Sequence, residues 1–210
     1  MMEIFDFLFG QYKEYSNLDT TLEIVAVIFG FLSVWFSKQN KIWVFPTGMI
    51  STSIFVYLLL KWELLGDMMI NAYYFIMSIY GWYIWTRKVD DTHATPISST
   101  TKKEQQISLG IFIATLLFVF VVYKTFDKWT SWVAYVDTFT TAIFFVGMWL
   151  MAKRKIENWL FWILGNIISI PLYFYKGFTF TSFQYFGFTI IAFFGYLAWK
   201  KHLHKSQQTL

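Results

Sequence analysis

Seven stretches of about 20 mostly apolar residues run through this sequence, and that is the length at which a helix crosses a bilayer core. They lie at roughly 20–37, 41–60, 64–86, 106–123, 131–152, 157–175 and 180–200. With 57% hydrophobic and only 14% charged residues, the chain has too few polar side chains to cover a water-soluble fold. The sequence therefore predicts an all-α membrane protein with seven transmembrane helices.

The basic residues are divided unevenly between the two sides of these spans. If successive spans alternate in direction, one side collects Lys38, Lys41, Arg87, Lys88, Lys102, Lys103, Lys153, Arg154, Lys155, Lys200, Lys201 and Lys205, and the other Lys13, Lys61, Lys124, Lys128 and Lys176. The positive-inside rule then places segment 1–19 outside and the tail 201–210 in the cytoplasm. The Thr- and Ser-rich stretch 89–105 is expected to be a flexible cytoplasmic loop. These charges orient the chain, so no nucleic-acid partner is expected.

The first three and last three spans are similar in sequence. "YGWYIWTRK" matches "FGYLAWKKH", pairing Gly81 with Gly195 and Trp85 with Trp199. Further matches in the same order pair Trp35 with Trp149, Lys41 with Lys155, Trp43 with Trp159 after a two-residue insertion, and "LDT" at 18 with "VDT" at 136. We read residues 20–88 and 131–200 as two three-helix repeats.

The span at 106–123 has no counterpart in either repeat. A three-span unit ends on the side opposite its start, so one extra crossing lets the second copy begin on the same side as the first. The repeats are then parallel and joined by a linker helix, a 3+1+3 arrangement about an axis along the membrane normal.

Polar residues inside the spans are the candidates for a binding site, because hydrocarbon tolerates them only beside a partner or a cavity. At helical spacing the third span carries a stripe of Asp67, Asn71, Tyr74 and Ser78, and the sixth a stripe of Trp159, Trp162, Asn166, Ser169 and Tyr173. Trp43, Thr47 and Ser51 share a face of the second span. For any one of these residues, a bond to a neighbouring helix or an interfacial anchor is an equally good explanation. Trp162 and Asn166, a turn deeper on the same face, together favour a binding site.

The sequence contains little that would support an enzymatic function. His93, His202 and His204 lie in the predicted loop or tail, there is no cysteine, and no phosphate-binding glycine motif occurs. We therefore expect no catalytic residue, no metal and no cofactor.

Three segments resemble the PnuC family of bacterial vitamin transporters: "LEIVAVIFGFLSVWFSKQNKIWVFPTGMIST", "DMMINAYYFIMSIYGWYIW" and "ENWLFWILGNIISIPLYFYKGF". The resemblance covers about 20–88 and 133–200, and its most specific part is the spaced tryptophan pair before an asparagine. It implies a SWEET-like 3+1+3 fold, assembly as a homotrimer in the bacterial inner membrane, and facilitated diffusion of nicotinamide riboside. A cytoplasmic riboside kinase is expected to trap the solute as its phosphate.

The resemblance assigns roles to the candidate residues. Trp162, and less directly Trp159, are expected to pack on the cationic nicotinamide ring, an interaction of about 0.5 to 2 kcal/mol. Asn166 and Asn71 are expected to bond the carboxamide or the ribose. Tyr74 and Tyr173 belong to the same polar stripes. Asp67 is expected to offset the positive charge or, near the outer end of the third span, to lie at the membrane interface. The residues expected to complete the pocket are Trp43, Thr47, Ser51 and Gln184.

Other solutes and roles stay open. Both arginines, Arg87 and Arg154, lie at span ends, so a phosphate in mid-membrane finds no cation and the mononucleotide is disfavoured. Thiamine and then riboflavin are the alternative solutes, and a non-transporting vitamin receptor is the alternative function. Glu23, Asp67 and Asp137 are the candidates for ion coupling, although no span contains a dedicated ion site.

Overall fold

The computed structural model describes residues 16–61, 65–90, 93–127, 129–176 and 179–208, so most of the predicted segment 1–19 and the end of the tail fall outside it. Its helices are α1 Asn17–Lys38, α2 Val44–Lys61, α3 Leu65–Thr86, α4 Lys102–Thr125, α5 Trp132–Ala152, α6 Asn158–Tyr175 and α7 Thr179–Gln208. A short antiparallel hairpin, β1 Lys88–Asp90 with β2 His93–Ala94, follows α3. Each predicted span coincides with one helix, which confirms the predicted fold class.

Four of the described helices, α1, α2, α4 and α5, are long and apolar enough by themselves to cross a membrane. The other three have 22, 18 and 30 residues, also enough to cross. These three carry much of the Trp and Tyr, whose polar atoms lower hydropathy although the rings suit a membrane interface. All seven described helices are thus long enough to span a bilayer core.

The helices pack in the order that two parallel repeats require. α1, α2 and α3 contact one another in sequence, as do α5, α6 and α7. Between the repeats α1 packs on α7 and α3 packs on α5, while α4 lies mainly against α5. The contacts between repeats are therefore reciprocal: the first helix of each meets the third helix of the other.

The turns after α1 and α5 have the same backbone geometry. Asn40 and Arg154 both adopt left-handed conformations, with φ of 57° and 60°. The next amide in each turn, of Lys41 or Lys155, donates to a carbonyl five residues earlier at 2.9 Å. These residues are 114 positions apart, as are Gly81 and Gly195. Because both turns lie among the basic residues counted above, we call this end of the bundle the basic end.

The same spacing of 114 governs the packing at the basic end. Phe45 lies against Gly81 and meets the Trp85 ring edge-on at 5.0 Å and 87°. Trp159 lies against Gly195 and meets Trp199 at 5.6 Å and 89°. The pairing of Trp43 with Trp159 was therefore wrong: Phe45 is the structural counterpart of Trp159, and no insertion is needed.

At the opposite end each repeat is fastened by an ion pair. Lys61 at the end of α2 bonds Asp19 at 2.6 Å, and Lys176 after α6 bonds Asp137 at 2.6 Å. Asp19 is the third residue of α1 but Asp137 is the sixth of α5, roughly one helical turn deeper. The "LDT" and "VDT" matches thus mark equivalent ion pairs at unequal depths.

The segment expected to be a flexible loop makes many fixed contacts instead. The Thr95 hydroxyl donates to the Ile84 carbonyl at 2.8 Å, and the Ile97 side chain is buried in the core at the basic end. Ser98 forms a parallel bridge with Lys155, and the Thr100 amide donates to the Glu157 carboxylate at 3.0 Å. Residues 95–101 therefore fasten α3 and the start of α4 to the turn between α5 and α6.

Candidate functional site

Five aromatic rings from both repeats form a chain inside the bundle, which we call the aromatic cluster. Trp162 of α6 meets Tyr74 of α3 at 6.1 Å and 62°, and stacks on Phe144 of α5 at 5.5 Å and 30°. Phe144 stacks in turn on Tyr185 at 6.0 Å, and Tyr185 contacts Tyr173 at 5.1 Å. The contact between Tyr74 and Trp162 is where the cluster crosses from one repeat to the other.

Two glycines let the helices of the second repeat approach closely enough to form this cluster. A Cβ atom on Gly165 would collide with the Phe144 ring, so α5 can reach α6 only over a glycine. A Cβ on Gly147 would lie 3.5 Å from the Trp162 ring, so this glycine leaves a surface on which the indole rests. Glycines at positions 165 and 147 thus make room for the rings of Phe144 and Trp162 between α5 and α6.

Asn166 lies one turn beyond Trp162 on α6 and is 3% exposed. Among the described residues its side-chain amide has no hydrogen-bond partner. A buried amide without partners is destabilising by about 1 to 3 kcal/mol, unless water or a ligand bonds it. The Asn166 amide is therefore the best-placed polar group for a ligand beside the rings.

The polar stripe of α3 is partly engaged in its own helix. The Asn71 amide donates to the Asp67 carbonyl at 2.9 Å, which leaves one N–H and its oxygen available. The Ser78 hydroxyl donates to the Tyr74 carbonyl at 2.8 Å. Asn71 lies one turn from Tyr74, so it faces the same region as the aromatic cluster, whereas Ser78 is used within the helix.

Several predicted site residues lie apart from the aromatic cluster. Trp43 is 59% exposed in the turn after α1, and Trp159 is 1% exposed in the core of the basic end. The Thr47 hydroxyl donates to the Trp43 carbonyl at 2.6 Å, and Ser51 donates to the Ala26 carbonyl at 2.8 Å. The hydroxyls of Thr47 and Ser51 are therefore used within the protein, whereas Trp159 belongs to the core against which Trp162 and Tyr74 pack. Gln184 is half-buried on α7, one residue before Tyr185.

The end of the aromatic cluster nearest Tyr173 carries charge. The Lys176 ammonium lies 4.9 Å from the Tyr173 ring and bonds both oxygens of Asp137, at 2.8 and 2.6 Å. Asp67, in the first turn of α3, is near enough to interact electrostatically with both. Two carboxyl groups and one ammonium therefore share this end of the cluster.

Phe144 and Tyr185 are the residues of the cluster that the sequence did not single out. They stand in the aromatic runs "AIFFVG" and "SFQYFGF", where no spacing separates one ring from the next. Of two grooves in the described part of the chain, one is lined by Phe36, Lys41, Ile42 and Trp43, and the other by residues of α3, α4 and α5 that include Tyr73 and Phe145. The second groove adjoins the aromatic cluster, because the Phe145 ring lies 6.4 Å from the Tyr74 ring. Among the described residues, no group of His, Asp and Glu has the arrangement of a metal site.

The chain matches a family model described as nicotinamide mononucleotide transporter over residues 20–201. It is 23% identical over 205 residues to the nicotinamide riboside transporter PnuC of Escherichia coli, covering 85% of this chain and 84% of that one. It is 22% identical over 179 residues to the riboflavin/roseoflavin transporter RibM of Streptomyces davaonensis, covering 84% and 83%.

A solved structure, the crystal structure of the vitamin B3 transporter PnuC, has the same fold. It superimposes with a TM-score of 0.68 at 24% identity, covering 90% of this chain and 84% of that chain. The resemblance stated from the sequence is thereby confirmed, as are the all-α fold and the exclusion of an enzyme by a family of transporters.

Proposed function

Since the chain belongs to the nicotinamide mononucleotide transporter family of multi-pass bacterial membrane proteins, we propose that it carries nicotinamide riboside by facilitated diffusion. One observation supports this best: Trp162, in contact with Tyr74 of the other repeat, stands one turn from a buried Asn166 amide that has no partner among the described residues. A flat cationic ring with a carboxamide substituent matches that combination. The indole face attracts the pyridinium charge, and the amide bonds the carboxamide.

The remaining contacts follow from the position of the ring. Asn71 and Tyr74 of α3 face the solute from the first repeat, so Asn71 is our candidate for the ribose hydroxyls. Tyr173 and Gln184 line the approach from the end opposite the basic end, where Asp67 and Asp137 attract a cation. Trp159 supports the wall from behind, in the core against which Trp162 and Tyr74 pack. The Thr47 and Ser51 hydroxyls bond the carbonyls of Trp43 and Ala26, so we assign them no contact with the solute in this conformation.

The riboside suits the site better than the mononucleotide that the family description names. A phosphate has to find a cation to replace its water, and arginine or lysine is the usual choice. Lys176 is already bound to both oxygens of Asp137, and Arg154 bonds Asn40 at the basic end. The site region therefore repels rather than attracts a phosphate dianion.

Trapping and topology complete the proposal. A facilitated carrier only equilibrates its solute, so net uptake requires a cytoplasmic kinase that phosphorylates the riboside. The basic end faces the cytoplasm by the positive-inside rule, with the N-terminus outside in the bacterial inner membrane. Assembly as a homotrimer follows the family resemblance, each protomer having its own pathway.

Uptake into proteoliposomes tests this function. Labelled riboside, thiamine and riboflavin are supplied in parallel, and counterflow is measured after preloading with unlabelled solute. We expect riboside uptake and counterflow, with slower or no uptake of the other two. Faster uptake of thiamine or riboflavin would reassign the solute, and binding of riboside without counterflow would identify a receptor.

A further inference from the structure

At the basic end, two residues meet their own counterparts from the other repeat. Trp85 and Trp199 are 114 positions apart and their rings contact each other at 5.9 Å. Asn40 and Arg154 are also 114 apart, and the Arg154 Nε donates to the Asn40 Oδ1 at 2.9 Å. Residues related by two-fold symmetry touch each other only at the symmetry axis. The axis relating the repeats therefore passes through both pairs.

That axis is also the direction of any path that runs between the repeats. Trp85 and Trp199 are 4% and 0% exposed, so their rings fill the space on the axis at this end. The Trp199 indole N–H donates to the Ser37 carbonyl of α1 at 2.9 Å, which fixes it to the other repeat. The basic end is thus closed by contacts between repeats.

Arg154 joins every part of this closure. Its guanidinium lies 4.4 Å from the Trp85 ring, bonds Asn40 and donates a second hydrogen bond to the Thr95 carbonyl. Burial lowers the pKa of Arg154 to about 10, so the group stays charged at neutral pH. One side chain of the second repeat therefore holds the first repeat and the segment that leads to α4.

We propose that Trp85 and Trp199 form a gate across the transport path at the basic end, and that Arg154 keeps it closed through Asn40 and Thr95. Opening this end separates the repeats, which breaks the bonds of Arg154 and frees Trp199 from Ser37. The ion pairs Asp19–Lys61 and Asp137–Lys176 lie within single repeats, so they survive that movement and keep each repeat rigid.

The natural absence of cysteine allows a direct test. Ser37 is 4% exposed beside Trp199, whose indole N–H bonds its carbonyl. Ser37→Cys therefore gives one shielded thiol, and its rate of reaction with a maleimide follows the population of molecules whose gate is open. In detergent micelles both ends are accessible to the reagent. Arg154→Ala removes charged hydrogen bonds, and we expect the alkylation rate to rise about tenfold or more. Asn40→Gly removes the acceptor while keeping the left-handed backbone, and we expect a rise in the same direction.

Lys153→Ala is the matched control, since it removes one positive charge from the same turn but its ammonium has no bond among the described residues. It should leave the rate unchanged, and a Gln39→Cys thiol, exposed at the same end, should react at one fast rate in all backgrounds. Equal rates in the Arg154, Asn40 and Lys153 variants overturn the proposal. The proposal is also overturned if the alkylation rate rises only in a variant whose Tm lies below the labelling temperature, because unfolding then exposes the thiol. The readout needs no solute, so it is independent of the riboside assignment.

Discussion

Trp162→Ala is the most direct perturbation of the proposed site. The substitution removes two ring contacts within the protein, with Tyr74 and Phe144, each worth about 0.5 to 1.5 kcal/mol. It also removes the indole face that we assign to the solute, a cation–π contact of about 2 kcal/mol when desolvated. The first loss lowers stability in both the free and bound protein, and the second weakens binding of a cation by roughly thirtyfold.

The assay is calorimetric titration of purified protein with nicotinamide riboside and with its reduced form, which has nearly the same shape but an uncharged ring. The cation–π energy belongs only to the charged form, so Trp162→Ala should weaken binding of the cation more than that of the reduced form. Trp162→Phe keeps an aromatic ring that attracts cations less strongly than indole does, so its affinity for the charged form should lie between those of the unmodified protein and Trp162→Ala.

Trp82→Ala is the control for the loss of a tryptophan, because Trp82 is 40% exposed on α3 and its ring contacts no other aromatic ring among the described residues. We expect both solutes to bind it as they bind the unmodified protein. If Trp82→Ala and Trp162→Ala weaken binding equally, Trp162 is only a membrane anchor. If Trp162→Ala weakens both forms of the solute equally, the ring packs on the solute without cation–π attraction.

Three further predictions concern the amide, the energy source and the helix packing. Asn166→Leu should weaken riboside binding by about tenfold while the Tm holds or rises, because the amide has no partner among the described residues that would be lost; a fall in Tm with unchanged affinity would make Asn166 structural. In vesicles clamped at zero potential, a proton or sodium gradient should leave the riboside plateau unchanged; accumulation above equilibrium would show coupling and direct attention to Glu23, Asp67 and Asp137. Gly81→Ala should lower the Tm because its Cβ meets the Phe45 ring, whereas Gly110→Ala, with no atom within 4 Å, should keep or raise it by helix propensity; circular dichroism melts of both variants decide.

The sequence predicted the fold from features that are local to each helix. Apolar runs of membrane length became helices. The start of α4 at Lys102 was not predicted, because residues 102–105 were assigned to the loop, although Thr101 and Glu104 form a capping box there. The repeat was visible because Gly81 and Trp85 recur as Gly195 and Trp199. Its alignment failed at Trp43, since two tryptophans look alike in sequence while only Phe45 and Trp159 face the equivalent glycines.

The candidate site was less accessible to sequence reasoning. Trp162 and Asn166 share a face of α6 and the structure keeps them together, yet Trp159, three residues earlier, lies a turn nearer the basic end and packs on Trp199. The neighbouring helices, and not the spacing along α6, decide which of the two tryptophans lies at the level of the site. The hydroxyls of Thr47 and Ser51 bond backbone carbonyls, a use that no spacing distinguishes from ligand binding. Their role in binding, like that of Gln184, stays a prediction.

Asn40 and Arg154 occupy equivalent positions of the two repeats but are different residues, which is possible in one continuous chain and impossible between two identical subunits. A symmetric pair would place the same residue on both sides, so an arginine in this turn would face an arginine and repel it. In one continuous chain, Asn40 can accept the bond that Arg154 donates. The same freedom applies at the proposed binding site, where by the spacing of 114 Gly48 is the counterpart of Trp162 and Gly30 the counterpart of Phe144. A ligand that has a flat charged ring at one end and a sugar at the other has no symmetry, and duplication within a single gene lets each half specialise for one end of it.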